Sequence, residues 1–356
     1  QGVAARLWEN LGDVLQLRAQ HEDALYAYQN AQAQIPHTDQ IGLARLHRKV
    51  GPVMCEQRRY AEALDACRRA EITLGKQPGG DADRWWDEWL EVQVERVWVH
   101  YWLAQWPQMD DLVQKVQPVV QERGGGAARM RFLVASCLMH LRRERYVVSD
   151  EMLADSCEAL ALSREWGSLK TRTECQFELG FLHLWRRELD KAEEYLQAAL
   201  ELSETSGNLP FETLSLTYLT VLCRFQGEMD GVLSYALRAQ EAAEAAHMPD
   251  YVAAAKGNQA WLAWRRRDLD GGKQKGEEAS AIWRQSPLVY PFQWQALWPL
   301  IAVLLEPGWE EKAWAHAKAL LEPGQQRLPD SLNSALEAAL QAKAEDRAQV
   351  ARHHLD

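Results

Sequence analysis

The sequence predicts an all-α fold: a right-handed superhelix of about eight helical hairpins over residues 1–329, closed by a C-terminal capping helix and tail at 330–356. Three observations predict it. Small and apolar residues recur at a period near forty. Glycine, proline and aspartate punctuate that period where helices should start and stop. The composition, 47% hydrophobic with no long low-complexity stretch, supplies enough apolar surface for a sizeable core.

The first unit carries Trp8, Leu11, Gly12 and Leu15, then Ala24, Tyr28, Ala31 and Pro36. Val50-Gly51-Met54 leads in the same spacing to Ala63, Cys67 and Ala70. Leu179-Gly180-His183 leads to Ala192, Leu196 and Ala199, and Leu219-Thr220-Cys223 leads to Val232, Ala236 and Ala239. Gln259-Ala260-Ala263 leads to Gly272, Gly276 and Ala279, and Leu300-Ile301-Leu304 leads to Ala313, Ala317 and Leu320. Weaker copies centre on Val99-His100 and Met139-His140. The glycine slots (Gly12, Gly51, His100, His140, Gly180, Thr220, Ala260, Ile301) are separated by 39, 49, 40, 40, 40, 40 and 41 residues. A small residue where the two helices of a hairpin cross lets their backbones approach. One hairpin cannot bury its apolar face alone, so hairpins stack.

The punctuation follows the same frame. Gly167 and Gly207 fall where second helices should end. Pro210, Pro249 and Pro291 sit near starts of first helices, where a missing amide donor is harmless. Asp190, Asp230 and Asp270 stand at starts of second helices, as N-caps or first-turn acids. The surplus between Gly51 and His100 contains Gly75, Pro78, Gly79 and Gly80, an insertion near 75–90. The third hairpin is therefore expected to begin early, near Asp81, with Trp85, Trp86 and Trp89 on its extended first portion. These rings read either as burial against the preceding loop or as a partner-docking patch. After Pro329, the alanine- and charge-rich run from Asp330 to His354 suits a cap with one solvated face.

Trp8 to Pro36 fills the tetratricopeptide pattern W-x2-L-G-x2-Y, A-x3-F, A, P with consensus residues or close relatives. The chain thus resembles the tetratricopeptide superfamily from about Val3 to Pro323. Its period exceeds that family's usual ~34 residues, so each helix should carry about one extra turn. Arg186 to Asn208, "RRELDKAEEYLQAALELSETSGN", resembles the longer-period arrays of bacterial regulators. Those include the sensor arms of MalT-like STAND signal-transduction ATPases and quorum-peptide receptors of the Rap type. The resemblance implies a non-enzymatic sensor domain that binds a peptide, a protein or a small-molecule inducer. A structural protein–protein adaptor is the alternative. The chain begins Gln1-Gly2-Val3 without methionine and reads as a fragment of a larger regulator. No G-x-x-x-x-G-K-[ST] motif is present, so a nucleotide-binding ATPase module would lie elsewhere in the parent. "GGKQKGE" at Gly271 has the wrong spacing for a phosphate loop and falls in a second helix.

The resemblance also implies that first helices line the concave surface. Projecting the family register gives a candidate ligand-binding groove. Tyr101 and Gln105 come from unit three; Leu141, Glu144 and Arg145 from unit four; Glu174, Phe177, Phe181, Leu184 and Trp185 from unit five. Unit six adds Thr217, Val221, Arg224 and Phe225, unit seven Trp261, Trp264 and Arg265, and unit eight Trp298 and Glu306. Aromatic anchors lose little rotamer freedom, and arginine beside them pairs with carboxylates or stacks on rings. With sixteen tryptophans in the chain, many rings must simply fill the core; Trp98 and Trp102 fall off the projected face and read as core. Arg58-Arg59, Arg142-Arg143, Arg186-Arg187 and Arg265-Arg266-Arg267 recur at the turns within hairpins. They complement helix dipoles or attract an acidic partner.

A formal charge of −11 makes nucleic-acid binding unlikely. No apolar run is long enough for a membrane span. The six cysteines form no Cys-x-x-Cys pair and read as packed free thiols in a reducing cytoplasm. No cofactor or metal is expected. His-Glu-x-x-His and Gly-x-Ser-x-Gly are absent, the ten histidines are scattered, and His353-His354 reads as a solvated tail.

Overall fold

The computed structural model describes residues 2–286, 289–305 and 310–355. They form α1(Gly2–Leu17), α2(His21–Gln34), α3(Gln40–Glu56), α4(Tyr60–Leu74), α5(Ala82–Trp102), α6(Trp106–Arg123), α7(Gly126–Arg143), α8(Asp150–Trp166) and α9(Leu169–Trp185). The order continues α10(Leu189–Ser206), α11(Leu209–Gln226), α12(Met229–Ala245), α13(Pro249–Arg265), α14(Leu269–Gln285), α15(Trp294–Leu304), α16(Glu310–Leu320), α17(Asp330–Ala344) and α18(Ala348–Leu355). Each of the eight glycine-slot residues lies on an odd-numbered helix from α1 to α15, paired with the helix that follows. Among the described residues there is no strand, and no helix is long and apolar enough to cross a membrane. The run after Pro329 divides into two helices that pack together, α17 and α18, separated at Asp346, which holds a φ of 58°.

Close approach sets each hairpin. A Cβ on Gly12 would stand 2.5 Å from the Tyr28 ring, and one on Gly180 would stand 2.9 Å from the Leu196 nitrogen. The small repeat positions of the facing helices, such as Ala24, Ala31, Ala192, Ala199, Ala236 and Ala279, are wholly buried. α9 through α14 each run 17 or 18 residues, the extra length that the forty-residue period requires.

The turns within hairpins share one device. Ala19, Arg58, Ala104, Arg145, Arg187, Gly227 and Arg267 all hold positive φ, between 50° and 79°. The next residue then donates its N–H back across the turn: Gln20 to Leu15, Arg59 to Met54, Gln105 to His100, Tyr146 to Leu141, Glu188 to His183, Glu228 to Cys223 and Asp268 to Ala263. This bond satisfies a carbonyl left open at the end of the first helix. Arg58, Arg187 and Arg267 of the rim series therefore occupy a repeating backbone position, while Arg142 and Arg143 end α7. Elsewhere Asp39, Ser149 and Asp268 cap α3, α8 and α14 by accepting from Gly42, Met152 and Gly271 N–H. Pro210 and Pro249 fall in the first turns of α11 and α13, while Pro291 lies before α15 rather than within it. α5 begins at Ala82 with Asp81 as its cap, which makes it the longest helix described, at 21 residues.

The superhelix curls until distant hairpins meet. Arg58, in the α3–α4 turn, pairs with Asp250 at the start of α13 and donates to Ser286 Oγ at 3.2 Å. The His21 and His247 rings lie 6.0 Å apart across the same seam. Arg145, in the α7–α8 turn, donates to the Gln325 carbonyl at 2.9 Å and accepts from Arg327 N–H at 3.0 Å.

Gly180→Leu should overpack the α9–α10 crossing and cost about 1–3 kcal/mol. A fall in the urea midpoint of the far-UV helical signal is the expected result, and an unchanged midpoint would contradict the close-approach role.

Candidate functional site

The concave side, lined by the first helix of each hairpin, is divided into a filled part and an open part. The filled part is where the sequence places its aromatic groove. Phe292, in the segment between α14 and α15, inserts there and is 2% exposed. Trp185 stacks on it at 5.0 Å with planes 9° apart, and Tyr146, Phe181, Tyr218 and Tyr290 surround it at 4.6–5.9 Å. Phe177 stacks on Phe181 at 5.7 Å, and Phe225 stacks on Trp294 at 6.0 Å. The segment is fastened from outside. Gln325 Nε2 donates to the Tyr290 carbonyl, Gln326 N–H donates to the Pro291 carbonyl at 2.8 Å, and Trp294 Nε1 donates to Gln326 Oε1 at 2.8 Å. The Arg145 bonds then tie this strap to α7.

Most of the projected residues therefore take other places than an open groove, although Glu174 lines the cavity described below. Arg224 is 8% exposed, donates to Asn258 Oδ1 at 3.2 Å and the Gln295 carbonyl at 2.8 Å, and lies 4.9 Å over the Trp294 ring and 5.3 Å over Trp261. With no carboxylate beside it, burial pulls its guanidinium down to about 9. Trp261 is buried, Trp264 is half-buried and Arg265 is exposed, its guanidinium 5.8 Å and 6.0 Å from the two rings. Trp298 packs against the cluster of α15, α16 and α17. Tyr101 is buried, its hydroxyl 3.1 Å from that of Tyr146, with the Arg142 guanidinium 4.4 Å over its ring. Glu306 lies outside the described residues.

The open part is a cavity of about 720 Å3 at the centre of the curl. None of the eleven residues Tyr101, Arg145, Phe177, Phe181, Trp185, Arg224, Phe225, Trp261, Trp264, Arg265 and Trp298 lines it. Its wall comes from α1, α3, α5, α7, α9, α11 and the α12–α13 turn. Trp98 and Trp102, read from sequence as core, face it; both are half-buried. Phe211, Leu214, Met248 and Tyr251 supply apolar surface, and Arg48, Lys49, Glu91, Glu95, Arg131 and Glu174 form a charged belt. The volume falls within the ~300–1,000 Å3 typical of small-ligand sites.

Most of the belt is internally paired. Arg48 binds Glu88 at 2.6 Å, Lys49 binds Asp13 at 2.7 Å, and Arg131 binds Glu91 at 2.9 Å. Burial raises the Glu91 carboxyl, but Arg131 and Arg48 outweigh it and hold the group below its usual value. At Glu174 burial wins over Arg131 and Lys170, and the carboxyl is raised. Glu95 is pushed up to about 7 by burial, against the pull of Arg48 and Lys170. A second carboxyl raised to about 7, Glu178, sits away from the cavity and accepts from Ser156 Oγ at 2.6 Å.

A helical stripe, Glu91, Glu95, Trp98 and Trp102 on α5, was legible at spacings of four, three and four. The register projected through the weak His100 slot chose Tyr101 instead. The other sequence features resolve locally. Trp85 and Trp89 are buried and Trp86 half-buried; Trp85 Nε1 donates to the Leu74 carbonyl at 2.8 Å, and Arg123 lies 5.1 Å over Trp86. Much of the arginine rim is engaged by the chain itself: Arg59 with Glu62, Arg142 with Tyr101, Arg186 with Asp150 and Glu188, and Arg187 over Phe225 at 3.4 Å. Cys67, Cys137, Cys175 and Cys223 are buried thiols, while Cys55 faces the cavity and Cys157 is exposed. "GGKQKGE" lies inside α14. Among the described residues no cluster of His, Cys, Asp and Glu is arranged to hold a metal.

No family model matches the sequence, and neither does any curated protein sequence. Solved structures do. The apo form of RapI aligns at 12% identity over 88% of this chain and 95% of its own, with a TM-score of 0.57. The apo form of the quorum sensor NprR from B. thuringiensis aligns at 11% identity over 99% of this chain and 95% of its own, with a TM-score of 0.55. A signal-transduction ATPase with numerous domains and a tetratricopeptide repeat sensor, from Pyrococcus horikoshii, aligns at 15% identity with a TM-score of 0.51. That alignment covers 98% of this chain but 50% of the ATPase, so the chain spans half its length. At these identities the likeness is one of fold: a tetratricopeptide-type helical superhelix.

Phe292→Ala should empty the centre of the aromatic cluster at a cost of about 3–5 kcal/mol. Chemical denaturation should show the loss, with tryptophan emission moving to longer wavelength as Trp185 and Trp294 gain water. Unaltered emission and midpoint would contradict the seating of Phe292.

Proposed function

We propose that this chain is the ligand-sensing repeat domain of a larger signal-transduction protein, with a short peptide as its ligand. The proposed site is the central cavity, not the aromatic face filled by Phe292. One observation carries the reading: Arg58 and Asp250, whose ion pair joins the α3–α4 turn to α13, both line that cavity. A ligand in the cavity touches both sides of the seam and biases its closure. Because each hairpin contacts mainly its neighbours, small rotations add along the array and reach its ends.

The wall suits a peptide, since it combines apolar rings with paired charges. Relatives in fold support the same direction: one is a Rap protein complexed with competence and sporulation factor, and another is described as a quorum sensor. In the parent protein, a nucleotide-binding module outside this chain would read the change, as the fold shared with the Pyrococcus horikoshii ATPase suggests. The chain itself is read as non-catalytic and as acting in the cytoplasm.

A second reading, a protein–protein adaptor, is favoured by the outer face of α1. Val3, Leu7, Leu11 and Val14 are 71%, 64%, 44% and 53% exposed there, an apolar stripe at helical spacing.

Equilibrium dialysis against a random pentapeptide pool, read by mass spectrometry, separates the two readings. The sensor reading expects retained peptides and a roughly tenfold or greater loss of retention in Trp98→Ala, the scale of an aromatic anchor. No retention by the wild-type chain, or full retention by Trp98→Ala, would reject the cavity as the site.

A further inference from the structure

We propose that the cavity recognises a cationic group, the ammonium or guanidinium of a basic peptide side chain, between the carboxylate of Glu95 and the indole of Trp98. The proposal rests on the cavity being the ligand site and specifies which chemistry it selects.

Six carboxylates line the cavity, and five are engaged by the chain itself. Asp13 is held by Lys49, Glu56 by His21 at 3.0 Å, Glu91 by Arg131, Asp250 by Arg58, and Glu174 lies 3.9 Å from Arg131. Glu95 has neither a hydrogen bond nor an ion pair among the described residues. It stands three residues before Trp98 on α5, so both side chains share the helix face that looks into the cavity. Trp102 continues that face by another turn.

Desolvation makes an unpartnered carboxylate costly, and the cost disappears when a ligand supplies the missing positive charge. An adjacent indole face adds cation–π attraction that an anionic or neutral group does not receive. A basic side chain therefore satisfies both features at once. The apolar wall of Phe211 and Leu214 would take the stem of such a side chain.

The groups facing Glu95 come from four other helices and its own. They are Glu91 on α5, Arg48 and Cys55 on α3, Cys67 on α4, Arg131 on α7, and Lys170 and Glu174 on α9. Arg48 is already committed to Glu88, and Lys170 makes no ion pair with Glu95 among the described residues. Burial leaves Glu95 at about 7, so near neutrality it is partly protonated. A cation binds the ionised form and expels that proton. Affinity for a cationic ligand must then rise with pH, by about tenfold between pH 6 and pH 8 for a group near 7.

The test uses pentapeptide pools whose central residue is fixed as arginine, lysine, citrulline or glutamate, in equilibrium dialysis with the whole chain. Arginine and lysine pools should be retained at least tenfold better than citrulline and glutamate pools at pH 8, with the advantage shrinking at pH 6. In Glu95→Gln, checked for unchanged helicity, the arginine and citrulline pools should become equal and the pH dependence should vanish. Equal retention of all four pools by the wild-type chain would overturn the cation site while leaving the cavity as a ligand site. A cation preference that survives in Glu95→Gln would do the same. Retention of none of the pools would overturn the cavity reading itself. Should Glu95→Gln fail to fold, the wild-type ranking of arginine over citrulline and its pH dependence still decide.

Discussion

Phe292 sits in the concave face of a superhelix that its own chain builds, and the rest of the molecule is arranged around that contact. An array of first helices presents a continuous inner surface, which water would otherwise fill. Here the segment before α15 turns inward, stacks on Trp185 and closes the aromatic surface of α9 and α11. The strap at residues 322–327 holds it in place through backbone carbonyls, and Arg145 anchors the strap to the fourth hairpin. A groove rich in aromatic residues is thereby converted to core, and the open volume is confined to the neighbouring hairpins.

The seam between Arg58 and Asp250 acts on that remaining volume. It joins the second hairpin to the seventh, so the wall of the cavity belongs to helices far apart in the chain. Stacked hairpins resist bending little, because contacts are local. Under the proposed sensor reading, a long-range ion pair whose two members both face the cavity would tie curvature to occupancy. The charged belt has a related character: nearly every group in it is neutralised by a neighbour, and Glu95 is the exception among the described residues.

The largely engaged arginine rim has the same physical origin as the turns. A first helix ends in a left-handed residue whose neighbours carry the last carbonyls, and an arginine there complements the helix dipole while its long stem reaches a neighbouring hairpin. Arg187 over Phe225 and Arg186 beside Asp150 are examples. Such arginines stitch successive units together, which leaves less of the rim's charge for an external polyanion.

Sequence alone determined the hairpin. Gly12 against Tyr28 and Gly180 against Leu196 are local crossings, repeated at a period that can be counted, and the first-turn prolines and the cap at Asp81 lie beside the helices they start. That first helices look inward came from the resemblance to tetratricopeptide arrays rather than from the period itself. Tertiary structure alone decided which stretch of the inner face is open. Phe292 meets Trp185, and Arg58 meets Asp250, across more than a hundred residues, and neither contact follows the forty-residue period. A periodic pattern encodes contacts between neighbours, so the aromatic residues of hairpins five to eight read as a groove until the chain's own segment is seen to fill much of it. The stripe from Glu91 to Trp102 was written in the sequence, but its facing the void depends on how far the superhelix curls, a sum over many small inter-hairpin angles.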